Sequence, residues 1–106
     1  MSINELIIST LKPIAPIAFH EYTGSESKYM TFSVYNQSAG LIADDEEIMT
    51  VYSIQLDVFG KGNIESVVSQ AKEALKQVGF ERINEMDLYE IETKTFRKML
   101  MFKTSM

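Results

Sequence analysis

The sequence predicts an α+β fold, a two-layer sandwich with a mostly antiparallel sheet of about four strands and two helices on one face. Three observations predict it: a capped apolar-periodic segment at the N-terminus, a period-two stretch from Ile48 to Phe59, and a stretch from Ile64 to Val78 whose apolar residues recur at helical spacing. At 106 residues the chain has the length of one domain, 1–106, with room for one modest core.

Taken in order, Ile3, Leu6, Ile7 and Leu11 fall on one helical face, and Ser2 followed by Glu5 has the form of a capping box. Pro13 and Pro16 end that helix, because proline lacks the N–H of the helical bond and pushes the residue before it towards extended geometry. Ile17 to Tyr22 then form an edge strand, and the polar Thr23–Lys28 segment with Gly24 reads as a hairpin connection. In the run Tyr29–Tyr35, Met30, Phe32 and Val34 share one face, which predicts a strand. Residues 36–47 hold no sustained period and end in four acids, so they read as a long exposed loop interrupted by Leu41 and Ile42.

From Ile48 to Phe59, Ile48, Tyr52, Ile54, Leu56 and Val58 take the inward parity, while Val51, Ser53, Gln55 and Asp57 take the other. Asn63 is placed to cap a helix along which Ile64, Val67, Val68, Ala71, Leu75 and Val78 repeat, and Gly79 suits its C-terminal end. Phe80–Ile83 reads as extended, Asn84–Thr93 as an acidic turn, and Thr95–Lys103 as the last strand. Phe96, Leu100 and Phe102 are its inward residues, with Arg97, Met99 and Met101 opposite. The second sheet face therefore mixes apolar and polar groups: Tyr29, Tyr35, Val51, Met99 and Met101 among Ser53, Gln55, Asp57 and Arg97. Such a face favours a partner over bare water.

Composition narrows the function. Ten basic residues against fifteen acidic ones give a formal charge of -5, which argues against a footprint on phosphate backbones or on an anionic membrane. The absence of cysteine and the single His20 remove thiol chemistry, disulfides and histidine clusters, so no cofactor or metal is expected. The longest apolar run, Met99–Phe102, is four residues against the ~20 needed to cross a bilayer, and the reading is of a soluble protein without a secretion signal or membrane partner. His20 and Glu21 are neighbours in a strand and point to opposite faces, which prevents a simple dyad. The acids Asp44, Asp45, Glu46 and Glu47 lack the spacing of a calcium loop, and Gly60-Lys61-Gly62 lacks the Lys-Ser/Thr pair of a phosphate loop. Enzymatic chemistry is poorly provisioned, and the nearest alternative is a metal-assisted hydrolase using Asp44, Asp45 or Glu47 with His20. Interaction is better supplied: Gln55, Asp57, Arg97, Met99 and Met101 form a candidate subunit interface, in which Asp57 meets Arg97 across adjacent strands or across a subunit boundary. Leu41, Ile42 and the acids 44–47 form a candidate partner-facing loop.

The segment Ile48-Met49-Thr50-Val51-Tyr52-Ser53-Ile54-Gln55-Leu56-Asp57-Val58-Phe59-Gly60-Lys61-Gly62-Asn63 resembles the tail terminator, or tail completion, proteins of long-tailed non-contractile bacteriophages and prophages of Gram-positive hosts. The likeness runs on through Val67-Val68, Leu75, Gly79-Phe80, Asp87-Leu88-Tyr89-Glu90, Thr93 and Phe96–Phe102, over roughly residues 1–104, and its specific part is the pattern Tyr-x-Ile-Gln-x-Asp-x-Phe at Tyr52–Phe59. That family often carries a histidine before the lysine of the last strand, where this chain has Arg97, a departure that touches surface chemistry and leaves the fold intact. The resemblance implies a structural virion protein and no enzyme: a subunit that forms a hexameric ring on the head-proximal end of the tail tube, ends tube polymerisation and provides the joint to the neck. Its implied partners are further copies of itself, the tail tube protein and the neck or head completion protein, with DNA only as cargo through the channel. Its implied location is the virion tail, after assembly in the host cytoplasm. Gln55, Asp57 and Arg97 would line or brace the ring, and six acidic copies would let DNA pass without sticking. A head-tail joining adaptor is the alternative within the same class.

Overall fold

The element order is α1 (Ile3–Leu11), β1 (Ile17–Phe19), β2 (Lys28–Ala43), β3 (Glu46–Gly60), α2 (Glu65–Gln77), β4 (Glu81–Glu90) and β5 (Thr95–Ser105). The computed structural model describes residues 2–43 and 46–106, and within these the side chains of all but residues 41–43, 47 and 48. The described residues form one five-stranded sheet in the order β1-β2-β3-β5-β4. It is antiparallel throughout except for the β1–β2 pair.

The N-terminal helix forms where its local signals place it. Ser2 Oγ accepts the Glu5 amide at 3.2 Å and the Ser2 amide donates to the Glu5 carboxylate at 3.4 Å, which satisfies two of the donors a helix start leaves over. Ile7 and Leu11 then turn into the core. The second helix starts with Ile64, not Asn63, in the cap position, and no side chain caps it there. Asn63 still serves the helix end one residue further out, its Oδ1 accepting the Glu65 amide at 2.9 Å. At the other end Gly79 takes φ +95, a conformation that a Cβ disfavours, and its amide closes on the Lys76 carbonyl.

The core is a single slab between the helices and one sheet face. Val67, Val68, Ala71 and Leu75 of α2 and Ile7 and Leu11 of α1 pack with Met30 and Phe32 of β2, Ile54, Leu56 and Val58 of β3, and Leu100 and Phe102 of β5. The inward parity expected for all three strands therefore holds at these positions, with Val34 and Tyr52 half-buried at the margin.

Four expectations are corrected. The described residues of the stretch 36–47 are strand, not loop: Asn36–Ala43 and Glu46–Thr50 continue β2 and β3 as a long hairpin arm, with bulges between Val34 and Asn36 and between Ala39 and Leu41, while Asp44 and Asp45 lie outside the described residues. At residues 36–40, 46 and 49 the arm is exposed on both faces, so it has no core to alternate against and shows no hydrophobic period. Asn84–Glu90 is strand, not turn, for a related reason, since β4 is an edge strand with only Glu85 half-buried. The connection after β1 is no hairpin, since β1 runs parallel to β2 with Ile17 opposite Met30 and Phe19 opposite Phe32. The chain turns at His20, φ 66, and Tyr22 folds back to stack on Tyr29 at 4.5 Å. Finally, Phe96 has the inward parity but is 46% exposed, because it lies at the end of β5 beyond the helices; Lys98 holds the buried place instead.

Candidate functional site

The face of the sheet away from the helices is where the sequence placed the subunit interface, and the strand register assembles that face. Thr31 of β2, Asp57 of β3, Met99 of β5 and Met86 of β4 form one row across the strands. Ser33, Gln55, Met101 and Asn84 form the next, and Tyr29, Phe59, Arg97 and Leu88 the row on the other side. All five expected interface residues thus share one surface. Gln55 Nε2 donates to Asp57 Oδ2 at 3.0 Å, and Arg97 Nε donates to Asp57 Oδ1 at 3.3 Å. The Arg97–Asp57 pair therefore forms between neighbouring strands of one chain. Arg97 also lies over the Phe59 ring at 5.4 Å, and that ring stacks on Tyr29 at 4.8 Å, extending the Tyr22–Tyr29 stack. On the other side of the network the Tyr35 hydroxyl points at the Met101 sulfur, 4.0 Å away.

The central carboxylate is more enclosed than an exposed ion pair: the Asp57 side chain is 10% exposed and that of Arg97 is 29%. Around it, Tyr35 and Met86 are half exposed, and no helix covers this face among the described residues. The result is a polar centre, fixed in geometry, within an apolar rim of tyrosine, phenylalanine and methionine, the mixture typical of surfaces that pack against other proteins.

The expected partner-facing group is divided by the structure. Leu41 and Ile42 lie in β2, paired with Met49 and Glu47; Glu46 opens β3 and is exposed; Asp44 and Asp45 lie outside the described residues. His20, the other half of the hydrolase alternative, is exposed at the turn after β1 with its ring against Phe19 at 3.9 Å. Among the described residues no three acids or histidines converge as a metal site.

Two further features escape the sequence reading. A groove of about 660 Å³ lies between the start of α2, Gly62–Glu65, and the paired ends of β4 and β5, where Leu88, Tyr89, Phe96 and Arg97 line it. Tyr89 and Phe96 make a tilted ring pair at 4.8 Å and are both about half exposed. The other feature is an ion-pair cluster on the helix side of β4. Glu85 meets Lys72 of α2 at 3.0 Å, Arg82 at 3.5 Å and Lys98 of β5 at 3.7 Å, while Lys98 also meets Asp87 at 3.0 Å. The alternation Glu85-Met86-Asp87-Leu88 is the signal that reveals this strand, with acids towards the helix side and apolar residues towards the open face.

The Lys72 hydrogen bond, followed by the charges of Lys72, Lys98 and Arg82, holds the Glu85 carboxyl below its ordinary range against the opposing effect of burial. Asp87 does the converse to Lys98, whose ammonium is held above its ordinary range. A carboxyl depressed in the folded state contributes stability that is present above its unfolded value of about 4.3 and is lost as pH falls through the folded value. Thermal unfolding followed below about pH 4.3 is therefore expected to show a smaller loss of melting temperature on acidification for Glu85→Gln than for the parent chain. Parallel pH profiles for the two proteins would overturn that assignment.

A comparison with solved structures finds the same fold at nearly full length. A chain in the virion of a native gene transfer agent particle superposes with a TM-score of 0.66 and 9% identity, covering 98% of this chain and 93% of that chain. No protein-family model matches the sequence, and no curated protein matches it. At that identity the likeness concerns the fold, and the fold is one found in the virion of a gene transfer agent particle.

Proposed function

We propose that this chain is a structural subunit of a phage-type virion, and specifically a tail terminator: copies form a ring on the head-proximal end of the tail tube, end its polymerisation and offer the joint to the neck. The observation that carries the reading is the near full-length likeness to a virion chain, 98% of one and 93% of the other, which joins the tail-terminator pattern at Tyr52–Phe59. The open sheet face supports it as well, since a rigid Gln55–Asp57–Arg97 centre within an apolar rim suits contact with other subunits. The proposed role requires no bond to be made or broken, no cofactor and no metal. DNA is cargo in the channel, and the net charge of -5 per copy disfavours its retention there.

The test is electron microscopy of the protein mixed with tail-tube subunits from the same genome. Tubes of defined length ending in a six-fold ring are the expected result. Unlimited tube growth with no bound protein would defeat the proposal, and binding to the portal side in place of the tube would assign the chain to the head-tail joint instead.

A further inference from the structure

The sheet has two unlike edges. At one, β4 offers a ten-residue strand with no described strand beyond it. At the other, β1 covers β2 only opposite residues 30–32, so from Ser33 to Ala43 the backbone of β2 has β3 on one side and no described strand on the other. Proteins commonly guard such edges with short strands, prolines or charges, because an open row of amides and carbonyls invites another chain. The free stretch of β2 carries bulges at Tyr35 and Gly40 but neither a charge nor a proline: Ser33-Val34-Tyr35-Asn36-Gln37-Ser38-Ala39-Gly40-Leu41-Ile42-Ala43. Beyond Val34, which packs at the core margin, its residues from Tyr35 to Gly40 are exposed. β5 ends at Ser105 opposite Val51, so the arm runs on past the rest of the sheet and accounts for the elongated 53 × 23 × 23 Å outline of the described residues.

The β4 edge complements it in length and charge. It carries Glu81, Glu85, Asp87 and Glu90 against one Arg82, and Glu85 and Asp87 are already tied to Lys72 and Lys98 of their own chain. Two β4 edges brought together would set acid against acid, whereas an uncharged β2 edge meets β4 without opposition. Met86 and Leu88 on the open face of β4 would then gain cover from the Tyr35 side of the incoming strand. Direction agrees too. Within the sheet β2 and β5 run one way and β3 and β4 the other, so a second copy that continues the sheet past β4 brings its β2 antiparallel to β4, the more stable ladder. Because the two edges differ, each contact leaves one β4 edge and one β2 edge free for the next copy, which is the heterologous contact that closes into a ring when its rotation permits.

We propose that successive copies of this chain join by strand addition, the Ser33–Ala43 edge of one copy pairing antiparallel with the Glu81–Glu90 edge of its neighbour. The inference rests on the ring-forming role proposed above and names the contact that builds the ring.

The absence of cysteine makes a direct test possible. Met86→Cys combined in one chain with Asn36→Cys or with Ser38→Cys puts both thiols on the open-face parity of their strands, and Gln37→Cys with Met86→Cys puts them on opposite faces. Mild oxidation of the concentrated protein, alone and on tail-tube ends, is expected to give a covalent ladder of multimers from one of the first two pairs and not from the third. In parallel, Gln37→Glu with Ala39→Glu, on the same face as Glu85 and Asp87 of β4, is expected to weaken self-association by about tenfold or more in sedimentation, while Gln37→Lys with Ala39→Lys does not. These sites are exposed, and an unchanged melting temperature will show that the variants fold. Rings seen by microscopy without any ladder, or a ladder as strong from Gln37→Cys, would overturn edge pairing and leave the ring role standing. Monomers alone, with tube ends left bare, would overturn both.

Discussion

Replacing Leu100 with alanine is expected to destabilise the fold by about 2–5 kcal/mol, the range for emptying a fully buried leucine site. Leu100 is wholly buried on β5, opposite Leu56 of β3 and Glu85 of β4, and belongs to the cluster that the two helices close. Removing its isobutyl end leaves a cavity among side chains on two strands and α2, and a dense interior relaxes only in part to fill it. Its neighbour Met101 supplies the contrast. It points to the open face and is half-buried, so Met101→Ala is expected to cost about 1 kcal/mol or less. Leu100→Met keeps the volume and is expected to cost under about 1.5 kcal/mol. Urea unfolding midpoints for the three variants check the order. A Met101→Ala loss equal to that of Leu100→Ala would mean that both faces of β5 are packed, contrary to a single slab of core on the helix side.

The same alternation explains what could be read in advance and what could not. Ser2 and Glu5 announce α1 because a capping box is a local exchange of hydrogen bonds, legible in four consecutive residues. Ile54, Leu56 and Val58 announce β3, and their parity also places Gln55 and Asp57 on the face where Arg97, Met99 and Met101 meet them. The arm was illegible as a strand because its order comes from pairing with a neighbour while water touches its residues from Tyr35 to Gly40, so no burial period is written into it, and β4 offers only the short alternation Glu85-Met86-Asp87-Leu88 within an acidic run. The parallel course of β1 was equally hidden, since a connection of this length permits either direction and the choice depends on the turn at His20 and the return stacking of Tyr22. Lys98 was legible only with its partners: a lysine on an inward parity is tolerated there because Asp87 and Glu85 of β4 come to meet it.

Arg97→Ala is expected to cost about 1–3 kcal/mol, because it strips a charged partner from a carboxylate that the fold has largely taken out of water. An exposed pair would be worth only about 0.2–1 kcal/mol, and the 10% exposure of the Asp57 side chain moves this one out of that class. The substitution leaves the Gln55 amide, which donates to Oδ2 at 3.0 Å in the parent chain, and that should keep the loss below that of a carboxylate with no partner at all. Arg97→Lys is expected to fall between the two, since an ammonium restores the charge but not the planar group that reaches Asp57 while lying over Phe59. Removing both partners in Asp57→Ala with Arg97→Ala abolishes the orphaned charge, so the double variant should lose less than the sum of the single losses, a coupling of about 0.5–3 kcal/mol in a double-mutant cycle of unfolding free energies. Strict additivity would sink the account of a desolvated pair. The cycle also separates bracing from contact: if the Gln55–Asp57–Arg97 centre acts by holding β3 and β5 in register, Arg97→Ala lowers stability while self-association of the folded fraction is unchanged, whereas a direct subunit contact lowers both.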